Sequence, residues 1–205
     1  MSQLSLRFNA LLLSLAVTAS GAALADDTAP AASTHDHSPM AGTSMSRMNY
    51  VVPNIELVSE NGKTVSLAKE LDDGRPVVMN FIFTTCETSC PLSSATFSQF
   101  QRKLVAERDS VHLVSISIDP EQDTPARLRE YAKKFGAGPQ WQHYTGTSAA
   151  SIAAQRAFGA YRGDKMSHTP ITLLRAAPGK PWLRIDGFVT PDQLMEQYHG
   201  LLAAL

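Results

Sequence analysis

The run Pro76-Val77-Val78-Met79-Asn80-Phe81-Ile82-Phe83, with the cysteine pair directly behind it, constrains this chain more than any other feature. A near-continuous apolar run of this length is expected of a strand buried on both faces, and such strands belong to sheets covered by helices on two sides. Cys86 and Cys90 follow at once, and Pro91 suits the first turn of a helix starting just after Cys90. Phe97, Phe100 and Leu104 recur at helical spacing and give that helix one apolar face. Backbone N–H groups and the dipole at its N-terminus favour an anion, so at least one thiol pKa is expected to be lowered. The chain has 2 cysteines, which rules out a disulfide scaffold and a four-cysteine zinc module. As a purely structural crosslink the pair would close a loop so short that it stabilises by only about 2 kcal/mol.

The pattern on either side fills in the fold class. Ile55-Glu56-Leu57-Val58 and Thr64-Val65-Ser66-Leu67 flank Asn61-Gly62, a hairpin signal. Val111 to Ile118 reads as the strand after the cysteine helix and ends at Asp119-Pro120. Thr124-Pro125 is an N-cap followed by proline at the first helical position, and Gly136 and Gly138 stop that helix. Trp141 to Tyr144 is a short strand, and Thr147 or Ser148 caps an Ala-rich helix ending near Gly159. Ile171 to Leu174 and Trp182 to Ile185 are strands around a turn at 178–181, and Thr190-Pro191-Asp192-Gln193 opens the last helix with a capping-box pattern. After the hairpin the order is β-α-β-α-β-α-β-β-α, which points to an α/β sandwich with a mixed sheet.

The N-terminus reads as an address. Arg7 provides a short positive region, Ala10 to Val17 is too short to span a bilayer, and Ala23-Leu24-Ala25 is an A-x-A signal before Asp26. Residues 1–25 are therefore expected to be a cleavable signal, giving a periplasmic protein without a stable membrane anchor. Residues 26–49 are expected to be a disordered leader and residues 50–205 the folded domain. The leader holds His35, His37, Met40, Met45 and Met48. Imidazole and thioether are copper ligands, so the leader is either a solvated linker or a weak copper-collecting tail. With 18 Lys+Arg against 19 Asp+Glu, the chain lacks the basic excess of a non-specific nucleic-acid binder. In an oxidising compartment the cysteine pair would need a partner reductant to stay reduced.

Three segments together resemble one family. Cys86-Glu87-Thr88-Ser89-Cys90-Pro91 follows an apolar strand, Asp119-Pro120-Glu121-Gln122-Asp123-Thr124-Pro125 follows the next, and His168-Thr169-Pro170 enters a later one. This is similar to the Sco/SenC family, over about Asn54 to the C-terminus. The resemblance implies a thioredoxin-like fold, a mixed sheet flanked by helices with an N-terminal β-hairpin. It implies copper bound by Cys86, Cys90 and His168, as Cu(I) with Cu(II) as a second state, and a role in assembling the copper centre of cytochrome c oxidase. Many family members have Asp where this chain has Ser167. Thioredoxin-like folds commonly hold a cis proline opposite the cysteines, a place that Pro170 can fill.

The residues support the same site. Ligands of open α/β sheets gather at the carboxyl ends of the strands. Cys86 and Asp119 each follow a strand. His168 precedes one, and joins them if that strand runs antiparallel. Two thiolates and an imidazole form a soft donor set suited to Cu(I), whereas iron–sulfur clusters need more cysteines. Taken alone, a histidine such as His168 is more often a packing residue than a ligand. Asp119 is a candidate for orienting His168 or tuning the thiols, or else a turn residue before Pro120. Asp123 is expected to belong to the turn and helix cap, Met166 is a candidate labile copper contact, and Glu87 is expected to face solvent. His112 and His143 lie on or beside strands, and His199 in the last helix.

Two functions lead. One is a copper chaperone that delivers its metal to a copper-accepting protein such as a cytochrome c oxidase subunit. The other is a thiol–disulfide oxidoreductase that reduces cysteines in a partner before metallation, since the thiolate is both nucleophile and ligand. Copper buffering or resistance is a further alternative, favoured by the Met/His leader. A peroxidase would need a Pro-x-x-x-Thr-x-x-Cys loop, which Val78 to Cys86 does not contain.

Overall fold

The computed structural model describes residues 42–205. The expected signal at 1–25 and the leader residues His35, His37 and Met40 lie outside the described residues. The strands are β1 Ser44–Met48, β2 Glu56–Ser59, β3 Thr64–Ser66, β4 Val77–Ile82, β5 His112–Ser117, β6 Trp141–Thr145, β7 Ile171–Arg175 and β8 Trp182–Asp186. The helices are α1 Leu67–Leu71, α2 Ser89–Lys103, α3 Pro125–Lys134, α4 Ser148–Ala157 and α5 Pro191–Leu202. All eight strands form one sheet in the order β1-β8-β7-β4-β5-β6-β2-β3. The expected hairpin is β2–β3, with Glu56 opposite Ser66, and Gly62 takes a φ of 79° in its turn.

The sheet is mixed, as its pattern implies. β4 pairs in parallel with β5, β5 in parallel with β6, and β7 runs antiparallel to β4 with Asn80 opposite Thr172. Every residue of β4 and of β5 is buried, because helices cover both faces. On one face Met79, Phe81 and Ile116 pack with Leu128, Ala154 and Phe158. On the other, Val78 and Leu113 pack with Phe97, Phe100, Leu194 and Tyr198. Three polar side chains inside are linked. Ser115 Oγ donates to Asn80 Oδ1 at 2.7 Å, and Trp141 Nε1 donates to Ser115 Oγ at 2.9 Å.

The helix starts follow their capping residues. Thr124 accepts from Arg127 N, Thr147 from Ala150 N, and Thr190 and Gln193 form the full capping box. Three expectations are corrected. The stretch read as disordered to Met48 ends earlier, because β1 pairs with β8 over five residues, from Ser44 opposite Asp186 to Met48 opposite Trp182. Its side chains are all exposed, so backbone pairing rather than an apolar face holds it, and hydropathy carries no signal of it. The cysteine helix begins at Ser89 and not after Cys90, which puts Cys90 inside its first turn. Among the described residues no peptide bond is cis, Pro170 included. The trans form is the lower in energy, and His168 reaches its hydrogen-bond partner from it.

Candidate metal centre

The topology brings three chain segments to one edge of the sheet. β4 and β5 run parallel and end there, and antiparallel β7 begins there, so Cys86, Asp119 and His168 all lie at that edge. A loop of four residues leads from Phe83 to the start of the cysteine motif, and it is pinned at both ends. Cys86 N donates to Phe83 O at 3.1 Å. Thr84 N donates to the Asp123 carboxylate at 3.1 Å, and Thr84 Oγ1 does so at 2.5 Å. Ser117 Oγ at the end of β5 donates to the same carboxylate at 2.6 Å.

Asp123 is therefore more than the turn and cap residue its sequence position suggested. It is 0% exposed and ties the cysteine loop to the end of β5. Its position in the sequence carries no sign of Thr84, 39 residues away. Asp119 stands in the turn after β5, where its carbonyl accepts from Gln122 N at 3.1 Å and Asp123 N at 2.9 Å. Its carboxylate is taken by Lys165 Nζ at 2.6 Å, while His168 Nε2 lies 3.1 Å from the Phe81 carbonyl. A backbone carbonyl, not Asp119, orients the imidazole.

The two thiols differ sharply. Cys86 is 8% exposed and Cys90 is 2% exposed, and both are free. Burial pushes the Cys86 thiol up, but the N–H groups of Cys90 and Thr88 at the start of α2 outweigh it and bring the pKa down to about 7. Cys90 N lies 3.4 Å from Cys86 Sγ. The Ser89 and Thr88 hydroxyls stand 3.7 and 3.8 Å from the same sulfur. Cys90 is buried more deeply and next to Cys86, and its thiol is pushed up to about 12. The expected depression thus falls on Cys86 alone.

Cys86 opens on a cleft of about 220 Å³ whose walls include Phe83, Ser89, Lys165, Met166 and His168. His168 is half-buried, and burial lowers its pKa. A carbonyl accepts only from N–H, so the Phe81 contact makes Nε2 the protonated nitrogen. That leaves Nδ1 with a lone pair, buried and without a hydrogen-bond partner. A neutral imidazole with one unpartnered nitrogen and two free thiols is a soft donor set that fits Cu(I). Among the described residues no three His, Cys, Asp or Glu side chains stand close enough to hold one ion. His168 is held by Phe81 on the wall of the cleft it shares with Cys86. Met166 is exposed on the short turn Lys165–Ser167, Glu87 is exposed as expected, and Met45 and Met48 sit on β1. His112, His143 and His199 belong to other parts of the molecule. His112 Nδ1 meets Glu70 O, and His199 Nε2 meets Glu107.

A mixed sheet covered by helices on two faces, with a dithiol at a helix N-terminus and a histidine across a cleft, defines a thioredoxin-like domain. Residues 43–203 match the SCO1/SenC family model, and the chain belongs to that family. The SCO1 protein homolog of Bacillus subtilis is 38% identical over 106 residues, which is 51% of this chain and 54% of that protein. The chain thus spans about half the length of that relative. Among solved structures, BsSco, described as carrying a disulfide switch and as a member of the Sco family of cytochrome c oxidase assembly proteins, superposes with a TM-score of 0.64 at 29% identity. That match covers 76% of this chain and 95% of BsSco. The copper-bound ScoI of Arabidopsis thaliana shares the fold, with a TM-score of 0.63 at 23% identity over 76% of this chain and 100% of that one.

Proposed function

We propose that this chain is an exported copper carrier that holds Cu(I) on Cys86 and Cys90 with His168 as third ligand through Nδ1. It passes the metal to a copper-accepting protein, of which a cytochrome c oxidase subunit is the leading candidate. One observation carries the reading: a thiol near neutral pKa shares a cleft with a histidine whose buried Nδ1 has no partner. On binding, Cu(I) stays Cu(I). The Cys90 proton and whatever proton Cys86 retains leave to solvent, so affinity rises with pH. Three ligands leave the metal open on the cleft side, where an incoming donor can attach before the thiolates let go. The names of relatives and structural neighbours, a cytochrome oxidase assembly protein and a copper-bound structure among them, support copper as the cargo. The A-x-A signal supports cleavage after Ala25 and a periplasmic protein. Among the described residues no helix is long and apolar enough to cross a membrane.

A second reading, thiol–disulfide oxidoreductase, is favoured by the asymmetry of the thiols. Cys86 near 7 suits a nucleophile and Cys90 near 12 a resolving thiol. His168→Ala separates the two. Disulfide exchange has no required part for the imidazole, so cycling against a small thiol buffer continues. Cu(I) affinity falls by about 10- to 1000-fold (~1.4–4 kcal/mol) because the two thiolates remain. Unchanged affinity across repeated competition titrations would remove His168 from the ligand set and make the reductase reading the better one.

A further inference from the structure

The mouth of the copper cleft carries a donor that the three-ligand site does not use. Met166 is 75% exposed, on the turn Lys165–Ser167, and lines the same cleft as Cys86 and His168. Its position is fixed by the fold. Asp164 Oδ1 accepts from Met166 N at 2.9 Å, and Ser167 N and His168 N donate back to Asp164 O and Lys165 O at 3.0 and 3.1 Å. The Lys165 side chain is itself anchored on Asp119 at 2.6 Å. The turn thus holds a thioether at the rim, two residues before the histidine on the wall, while the cysteines lie deeper, 8% and 2% exposed. Nothing in the packing asks for a methionine here. Its side chain fills no core gap, the usual work of methionine.

Resting on the copper-carrier reading, we propose that Met166 is the entry and exit ligand of the site, the first protein donor that Cu(I) meets and the last it leaves. The chemistry sets the direction of travel. A thioether is soft enough to bind Cu(I) but is neutral, so it holds the metal more weakly than a thiolate does. Metal captured at the rim therefore runs inward to Cys86 and Cys90, and on release an incoming ligand meets it at Met166. In the inward step the bond from Cu(I) to its delivering ligand breaks as the bond to Met166 Sδ forms. The bond to Sδ then breaks as bonds to the cysteine sulfurs form, and the thiol protons pass to solvent. The metal stays Cu(I) throughout, and no electron moves. The role is kinetic: the two thiolates and the imidazole set how tightly copper is held, and Met166 sets how fast it arrives and departs.

The test is stopped-flow uptake of Cu(I), supplied as its bicinchoninate complex, by the reduced full chain, with the equilibrium affinity measured on the same samples. Met166→Leu keeps the size and exposure of the side chain and removes the sulfur. It is expected to slow uptake about tenfold while affinity and the single bound copper stay as in the wild type. Val105→Ala changes another exposed apolar side chain, outside the cleft, and is expected to leave the rate unchanged. Equal uptake rates for Met166→Leu and the wild type, with one copper bound by each, overturn the entry role and leave the Cys86–Cys90–His168 site standing. Loss of affinity together with rate makes Met166 a resident ligand and overturns the kinetic role. A reduced wild type that binds no copper overturns both the site and the entry role.

Discussion

Replacing either Cys86 or Cys90 with serine is expected to abolish tight Cu(I) binding and dithiol–disulfide cycling together. A metal site can lose a neutral ligand and degrade, but a two-sulfur redox couple cannot lose a sulfur. One thiolate and an imidazole hold Cu(I) more weakly by at least about a thousandfold, ~4 kcal/mol. The two variants should still differ from each other in alkylation. Cys90→Ser leaves the Cys86 thiol under the N–H groups of the α2 N-terminus, near pKa 7 and open to the cleft, and it should react with iodoacetamide at neutral pH. Cys86→Ser leaves Cys90, 2% exposed and with its pKa far above neutral, and it should be nearly silent. The native neighbour raises the Cys90 pKa in part, but burial is the larger cause and survives the substitution. Equal alkylation rates would show that the helix N-terminus does not distinguish the thiols.

Acid should unfold this domain earlier than its carboxylates alone would dictate, and His143 is the main reason. Its ring is fully buried on β6, 5.0 Å from the Trp141 ring and 6.1 Å from the Tyr131 ring between centroids, and neither nitrogen has a hydrogen-bond partner. Burial alone lowers its pKa to about 3. The unfolded chain takes up this proton below about 6.5 and the folded chain does not. Stability is therefore fully present above 6.5 and is lost as pH falls toward 3, by up to about 1.4 kcal/mol per pH unit. His112 is lowered too, by burial and then Arg75, and adds loss of the same sign. Asp73, held low by Arg75 against burial, extends the loss below the usual carboxylate range. Urea unfolding between pH 7 and 4.5 measures the slope. His143→Phe keeps a ring between Trp141 and Tyr131 and should flatten it by close to one proton. Identical slopes in the two proteins would contradict this account of His143.

The parts of the site legible in the sequence were those written in consecutive residues. An apolar run, two cysteines and a proline describe β4, its loop and α2. The Thr-Pro pairs mark the starts of α3 and α5 because N-capping is a local interaction. The antiparallel run of β7, which brings His168 to the cysteine edge, appears in the sequence only as a condition. What stayed hidden depends on distant partners or on lone elements. Asp123 looks like a turn residue until Thr84 and Ser117 are seen to donate to it. Asp119 sits where it would steer His168, but Lys165 takes its carboxylate and the Phe81 carbonyl takes the imidazole. α1 is a five-residue helix whose only periodic signal is Leu67 and Leu71, too short to register as a pattern. β1 is exposed throughout and joins the sheet by backbone pairing, which no side-chain pattern records.

The claim that the reduced cysteine pair is the copper site is tested most directly by an anaerobic Cu(I) competition titration on the same preparation, once with Cys86 and Cys90 reduced and once with them joined as a disulfide. One tightly held copper is expected per reduced chain and none at that affinity per oxidised chain, because sulfurs bonded to each other have lost their thiolate character. Equal tight binding by both forms would contradict it and would move the copper to donors outside the dithiol, with His35, His37, Met40, Met45 and Met48 first among them.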